Sequence, residues 1–195
     1  MNNQNESQYE ATVQKLLGAV GKDQPEERLR YLAWGVLMEA CELGDLVKKV
    51  HWHGHPINQD YLDTLADEAG DALWYTVNLM AEYGDSLERW ESAWKTIHAS
   101  AEFWVARDMT TFWAVSELIS SASMIFDYEH HNRFVHDMDE IVNAYEYMLT
   151  MIAVVAIGAG RTIGAIADLN LEKLGKRHPG FNFTTVSSIA RVDQT

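Results

Sequence analysis

Four acids form the stretch of this chain best suited to chemistry. Glu39 and Glu42 lie three residues apart in Leu37-Met38-Glu39-Ala40-Cys41-Glu42-Leu43. Glu68 and Asp71 repeat that spacing in Leu65-Ala66-Asp67-Glu68-Ala69-Gly70-Asp71-Ala72-Leu73-Trp74. On a helix, residues i and i+3 share a face, so each pair points one way from an otherwise apolar run. Carboxylates are rarely buried unless paired or bound to a metal. Two such helices set face to face gather four carboxylates, which need cations, and hard oxygen ligands suit Mg²⁺. The plainer alternative is a solvated helix face. The chain has 29 acids, and the spacing recurs at Asp60/Asp63, Glu82/Asp85 and Asp137/Glu140 in more polar surroundings.

The elements that must position these acids read as helices. Apolar periodicity predicts a first helix over residues 8–20. Asp23-Gln24-Pro25-Glu26-Glu27 opens a second, with Asp23 near its cap, proline in the first turn and acids at the positive end of the dipole. It is expected to run to Val50 and to carry Lys49 two turns beyond Glu42. His51-Trp52-His53-Gly54-His55-Pro56 then reads as a loop over the site. The H-x-H-x-H spacing suits a transition metal but leaves the fourth ligand unnamed. Trp52 either stacks on a base there or packs as a loop aromatic.

A third helix is expected over residues 60–83, with Tyr75 and Asn78 following Asp71 on the same face. Residues 86–107 read as one Trp-rich helix (Trp90, Trp94, Trp104) packed by a core stripe. A further helix follows Asp108 and ends near Tyr128, where Glu129-His130-His131-Asn132 interrupts. Another covers residues 137–160 and the last residues 161–174, with an irregular tail after His178.

Composition bounds the function. Three prolines, 12 glycines and little β-branched alternation favour an all-α helical bundle. A net charge of -14 argues against a nucleic-acid surface, which wants a basic footprint. It leaves room for a phosphorylated ligand, because metal ions bridge acids to phosphates. The lone Cys41 allows no internal disulfide and suits a reducing compartment; it reads as a small core residue. The polar N-terminus lacks a basic-then-apolar leader pattern. The most apolar run, residues 148–160, is short of the ~20 residues a bilayer needs. A cytoplasmic protein without a membrane partner is expected.

The E-x-x-E and E-x-x-D motifs, with the segment Asn170-Leu171-Glu172-Lys173-Leu174-Gly175-Lys176-Arg177-His178-Pro179-Gly180-Phe181, resemble the MazG-like branch of the all-α NTP pyrophosphohydrolases. That superfamily includes the dimeric dUTPases. The resemblance covers residues 34–84 and the C-terminal piece. Many relatives have two adjacent glutamates at the first motif, where this chain has Met38 before Glu39. The resemblance implies a single all-α domain, residues 1–195, that hydrolyses a nucleoside triphosphate to monophosphate and pyrophosphate with Mg²⁺, or Mn²⁺ in its place. It implies Glu39, Glu42, Glu68 and Asp71 as metal ligands, with Glu39 either a ligand or the catalytic base. It implies Lys49, Trp52, Tyr75, Asn78, Asn170, Lys173 and Arg177 as substrate contacts, residues 165–181 covering the phosphates. The bland reading of Lys173 and Arg177 is a basic helix end. Relatives pair acidic units, so a homodimer or higher homo-oligomer is expected.

A faded repeat is one arrangement the spacing allows. Residues 25–84 would be the catalytic copy and 109–160 a degenerate one. Aligning tryptophans and glycines sets Leu118, Ser121, Val142 and Tyr145 opposite Glu39, Glu42, Glu68 and Asp71. Two other classes compete. His136-Asp137, with histidines nearby, suggests an HD-type phosphohydrolase, and a helical bundle could bind nucleotide without turning it over.

Overall fold

The structure is a computed structural model that describes residues 4–18, 24–89, 93–107, 109–131 and 138–181. His136 and Asp137 of the HD reading, Trp90, and Asp23 lie outside the described residues. Seven α-helices and no strand are present among those described: α1 (Gln4–Leu17), α2 (Pro25–His53), α3 (Gln59–Glu82), α4 (Ala93–Val105), α5 (Thr111–His131), α6 (Met138–Gly158) and α7 (Ile163–Arg177). The all-α expectation holds. Short 3₁₀ turns sit at Leu87–Arg89 and Pro179–Phe181.

Two hairpins, α2–α3 and α5–α6, form the centre, with α2 against α5 and α3 against α6. Helix α7 crosses α3, α1 bridges α3 and α7, and α4 lies on α6. One hydrophobic cluster runs through all seven helices, from Tyr9 to Leu174. Each large side chain in it contributes about 1.5–3 kcal/mol relative to exposure. Helix α6 is long and apolar enough to cross a bilayer. It is buried at nearly every position from Met148 to Ala156, which accounts for a helix that is apolar almost all round.

The helix ends differ from the expectations in informative ways. Helix α1 begins earlier, at Gln4, because Glu6 and Glu10 bind chain far away in sequence. Glu6 Oε1 accepts from the Trp94 backbone N–H at 2.8 Å, and Glu10 Oε2 from Ser86 Oγ and the Leu87 N–H. These two buried acids cap the segment that leads into α4. Helix α2 runs through His51, Trp52 and His53 and ends at Gly54, whose φ of 69° is the left-handed cap a glycine adopts freely. Its proline opens it as expected, with Gln24 at the cap making no side-chain bond. Asn58 caps α3 by accepting from the Tyr61 N–H, a signal not read from the sequence.

Residues 86–107 are not one helix: a 3₁₀ turn precedes α4, and Trp94 is core while Trp104 is partly buried. Glu129, His130 and His131 do not interrupt but form the last turn of α5. Cys41 is exposed rather than in the core. The buried stripe of α2 is Leu32, Val36, Ala40, Leu43 and Val47, and Cys41 stands about 100° round from Ala40.

Candidate functional site

The short connection between α2 and α3 makes the hairpin antiparallel, so Glu42 comes opposite Glu68 and Glu39 opposite Asp71 and Tyr75. Carboxylate oxygens of Glu39, Glu42 and Glu68 lie within 4.8 Å of one another. Asp71 is not part of that trio. Its Oδ1 accepts from Asn170 Nδ2 at 3.0 Å and its Oδ2 from Lys173 Nζ at 2.6 Å. Lys173 also reaches Asp67 Oδ1 at 2.9 Å. Helix α7 thus brings counter-charge to the α3 side, and Arg177 adds to the field on Asp71.

Burial pushes the Glu39 carboxyl up to about 8, with repulsion from Asp71, Glu42 and Glu68 adding to it and Lys173 opposing. Burial, then Glu42, Asp71 and Asp67, push Glu68 up to about 7. Burial also raises Asp71 against the pull of Lys173. Burial lowers Lys173, but Asp71 and Asp67 outweigh it and the net shift is upward, so the ammonium stays charged. Near neutral pH Glu39 therefore holds its proton and Glu68 is partly protonated. Such repulsion is what a bound cation relieves.

Tyr75 lies on the same face. A Cβ at Gly35 would overlap its ring, so glycine on α2 is what admits the ring between the helices. Its hydroxyl is 3.4 Å from that of Tyr31, and burial first, then Tyr31, pushes its phenol well above the ordinary range. Asn170 is 2% exposed, and its Oδ1 accepts from Tyr9 at 3.2 Å.

Three expected substrate residues stand elsewhere. Asn78 is fully buried, with its Nδ2 donating to the Trp74 carbonyl of its own helix at 2.9 Å and its Oδ1 without a hydrogen-bond partner, so it lies inside the core and not on the face of the acid trio. Lys49 pairs with Asp45 at 2.7 Å, and Lys48 and Lys49 together hold the Asp45 carboxyl down to about 2. Trp52, 63% exposed, packs edge-on against Phe112 and His51 about 15 Å along the helix axis beyond Glu42.

Sequence reasoning missed Asp67, Tyr31 and Tyr9. Asp67 precedes Asp71 by one helical turn, so a helical wheel could have placed it. Tyr31 precedes Gly35 by the same interval. Tyr9 carries no local signal, because its partner is 161 residues away. No protein-family model, curated protein or solved structure matches the chain.

Proposed function

We propose that the protein is a Mg²⁺-dependent nucleoside triphosphate pyrophosphohydrolase. The observation that carries this reading is the convergence of three carboxylates, two of them with strongly raised pKa, beside a lysine-bearing helix. A donor set made only of carboxylate oxygens fits Mg²⁺, and Mn²⁺ as its substitute. Glu39, Glu42 and Glu68 would hold the ion, with Asp71 beside them. When bound, it supplies neutralisation of phosphate charge and a water that ionises more readily.

The chain's own residues account for the rest. Lys173 and Arg177 on α7 face the anionic triphosphate from the α3 side and offset its charge. Tyr75 and Tyr31 continue the cleft beyond Glu39 as an aromatic wall. Water adds to a phosphorus, the bond between the α- and β-phosphoryl groups breaks, and a Glu39 oxygen, ionised once a cation offsets the repulsion around it, would take the proton. A monophosphate and pyrophosphate leave.

The test is pyrophosphate release from a panel of NTPs and dNTPs with Mg²⁺, comparing wild type with Glu39→Ala and Glu68→Ala. Release by wild type and none by either variant supports the reading. No turnover of any triphosphate, or full activity in both variants, overturns it.

A further inference from the structure

We infer that Tyr9, at the opposite end of the chain from α7, is a positioning residue that holds Asn170 against Asp71 and so sets the geometry of the cation site. The inference rests on the proposed cation site. Tyr9 is fully buried, and its hydroxyl donates to Asn170 Oδ1 at 3.2 Å. The other end of that amide donates to Asp71 Oδ1 at 3.0 Å. Asn170 is 2% exposed, so water cannot replace a lost partner. The amide is thus divided between two polar groups, one on α1 and one on α3.

Its room is also restricted. A Cβ at Gly70 would come within 3.1 Å of the Asn170 Cβ, so α7 packs closely on α3 at this point and leaves the amide little room to shift. Removing the Tyr9 hydroxyl leaves a buried carbonyl oxygen without a donor, a costly state. The side chain escapes that state only by leaving the pocket, and Asp71 then loses one of its two donors. Lys173 still holds Oδ2, but a single contact leaves the carboxylate free to turn about it. Tyr9 touches neither substrate nor ion. It acts through Asn170.

Tyr9→Phe keeps the ring in the core and deletes only the hydroxyl. Mn²⁺ binding to the full chain, measured by titration calorimetry without nucleotide, reads the site directly. Mg²⁺ half-saturation of pyrophosphate release reads it during turnover. Both are expected to weaken about five-fold, the size a single buried hydrogen bond supports, with kcat at saturating Mg²⁺ within about two-fold of wild type. In an Asn170→Ala background the Tyr9→Phe effect is expected to vanish, because the link is already cut. Val13→Ala, which loosens the buried face of α1 without touching the link, is expected to leave Mn²⁺ affinity unchanged.

Unchanged Mn²⁺ affinity in folded Tyr9→Phe overturns the inference. So does an equal loss in Val13→Ala, an undiminished effect in the Asn170→Ala background, or a wild type that binds no Mn²⁺. Should Tyr9→Phe fail to fold, Asn170→Ala cuts the same link from its other end, and unchanged affinity there is equally fatal. A wild type that binds Mn²⁺ but releases no pyrophosphate removes the proposed reaction, while the binding comparisons still decide the role of Tyr9.

Discussion

The α2–α3 and α5–α6 hairpins pack side by side, yet their facing surfaces differ in kind. In the first, Glu39, Glu42, Glu68 and Asp71 line the contact, and two of them are pushed to about 8 and about 7. At the aligned positions of the second stand Leu118 and Tyr145, both fully buried, with Ser121 and Val142 partly buried. The hydroxyl of Tyr145 donates to Asp85 and that of Tyr147 to Glu117, so acids at this hairpin accept from neutral phenols. The second hairpin has its own open groove of about 630 Å³, lined by Ser121, Met124, Glu140, Asn143, Glu146 and Tyr147, but among the described residues its acids do not form a three-carboxylate cluster like that of Glu39, Glu42 and Glu68. One hairpin spends its interior on holding the bundle together. The other accepts electrostatic strain and covers it with Lys173.

The largest test of this contrast is to remove acids from one side and polar groups from the other. Glu68→Ala is expected to cut pyrophosphate release by about 10³-fold or more, the scale of losing a principal electrostatic group, whereas Ser121→Ala changes kcat/KM less than about two-fold. Steady-state kinetics on both variants decides it. Lys173→Ala comes next. It leaves Asp67 and Asp71 without their shared cation and is expected to lower kcat/KM about 30-fold, a charge-assisted pair being worth about 2 kcal/mol.

A packing test follows. By the tryptophan alignment Ala114 stands opposite Gly35, so alanine is native in one hairpin and forbidden in the other. Gly35→Ala collides with Tyr75 and is expected to cost about 2 kcal/mol in chemical unfolding, while Ala114→Gly costs about 1 kcal/mol from helix propensity. Similar losses in both would break the comparison.

A pH effect of similar size to the Gly35→Ala cost separates the hairpins as well. Glu39 and Glu68 bind protons more tightly in the folded protein than at the ordinary value of 4.5, so the folded state is the more protonated between that value and about 8. Stability without divalent ions therefore falls as pH rises through this window. With solvent screening the loss is about 2 kcal/mol. Glu39→Gln flattens the slope, and added Mg²⁺ restores stability at pH 8. Melting curves that rise from pH 5 to 8 in wild type would contradict these assignments.

Much of this was legible in the chain because helical spacing is local. The acid pairs and the proline that opens α2 follow from neighbours within two turns, whereas the Asn170, Lys173 and Arg177 segment is marked by its resemblance to a family tail. What failed was set by contacts across the fold. The burial of Asn78 depends on which side of α3 the other helices cover, and the exposure of Cys41 on which side of α2 they leave bare. The role of Tyr9 depends on a helix at the other end of the chain. Nothing near Glu6 and Glu10 in the sequence announces their partners, which lie 76 to 88 residues further on.

The link between Tyr9 and Asn170 also sets when the site comes into being. Chains leave the ribosome N-terminus first, and α2 and α3 can pair as soon as both have emerged. At that moment their acids are together but α7 has not been made. Lys173, Asn170 and the final seating of α1 arrive only with α7. Translation that stops before Asn170 yields a hairpin of facing carboxylates without Lys173 to steady them, so the charge balance of this centre waits on a helix made about a hundred residues later.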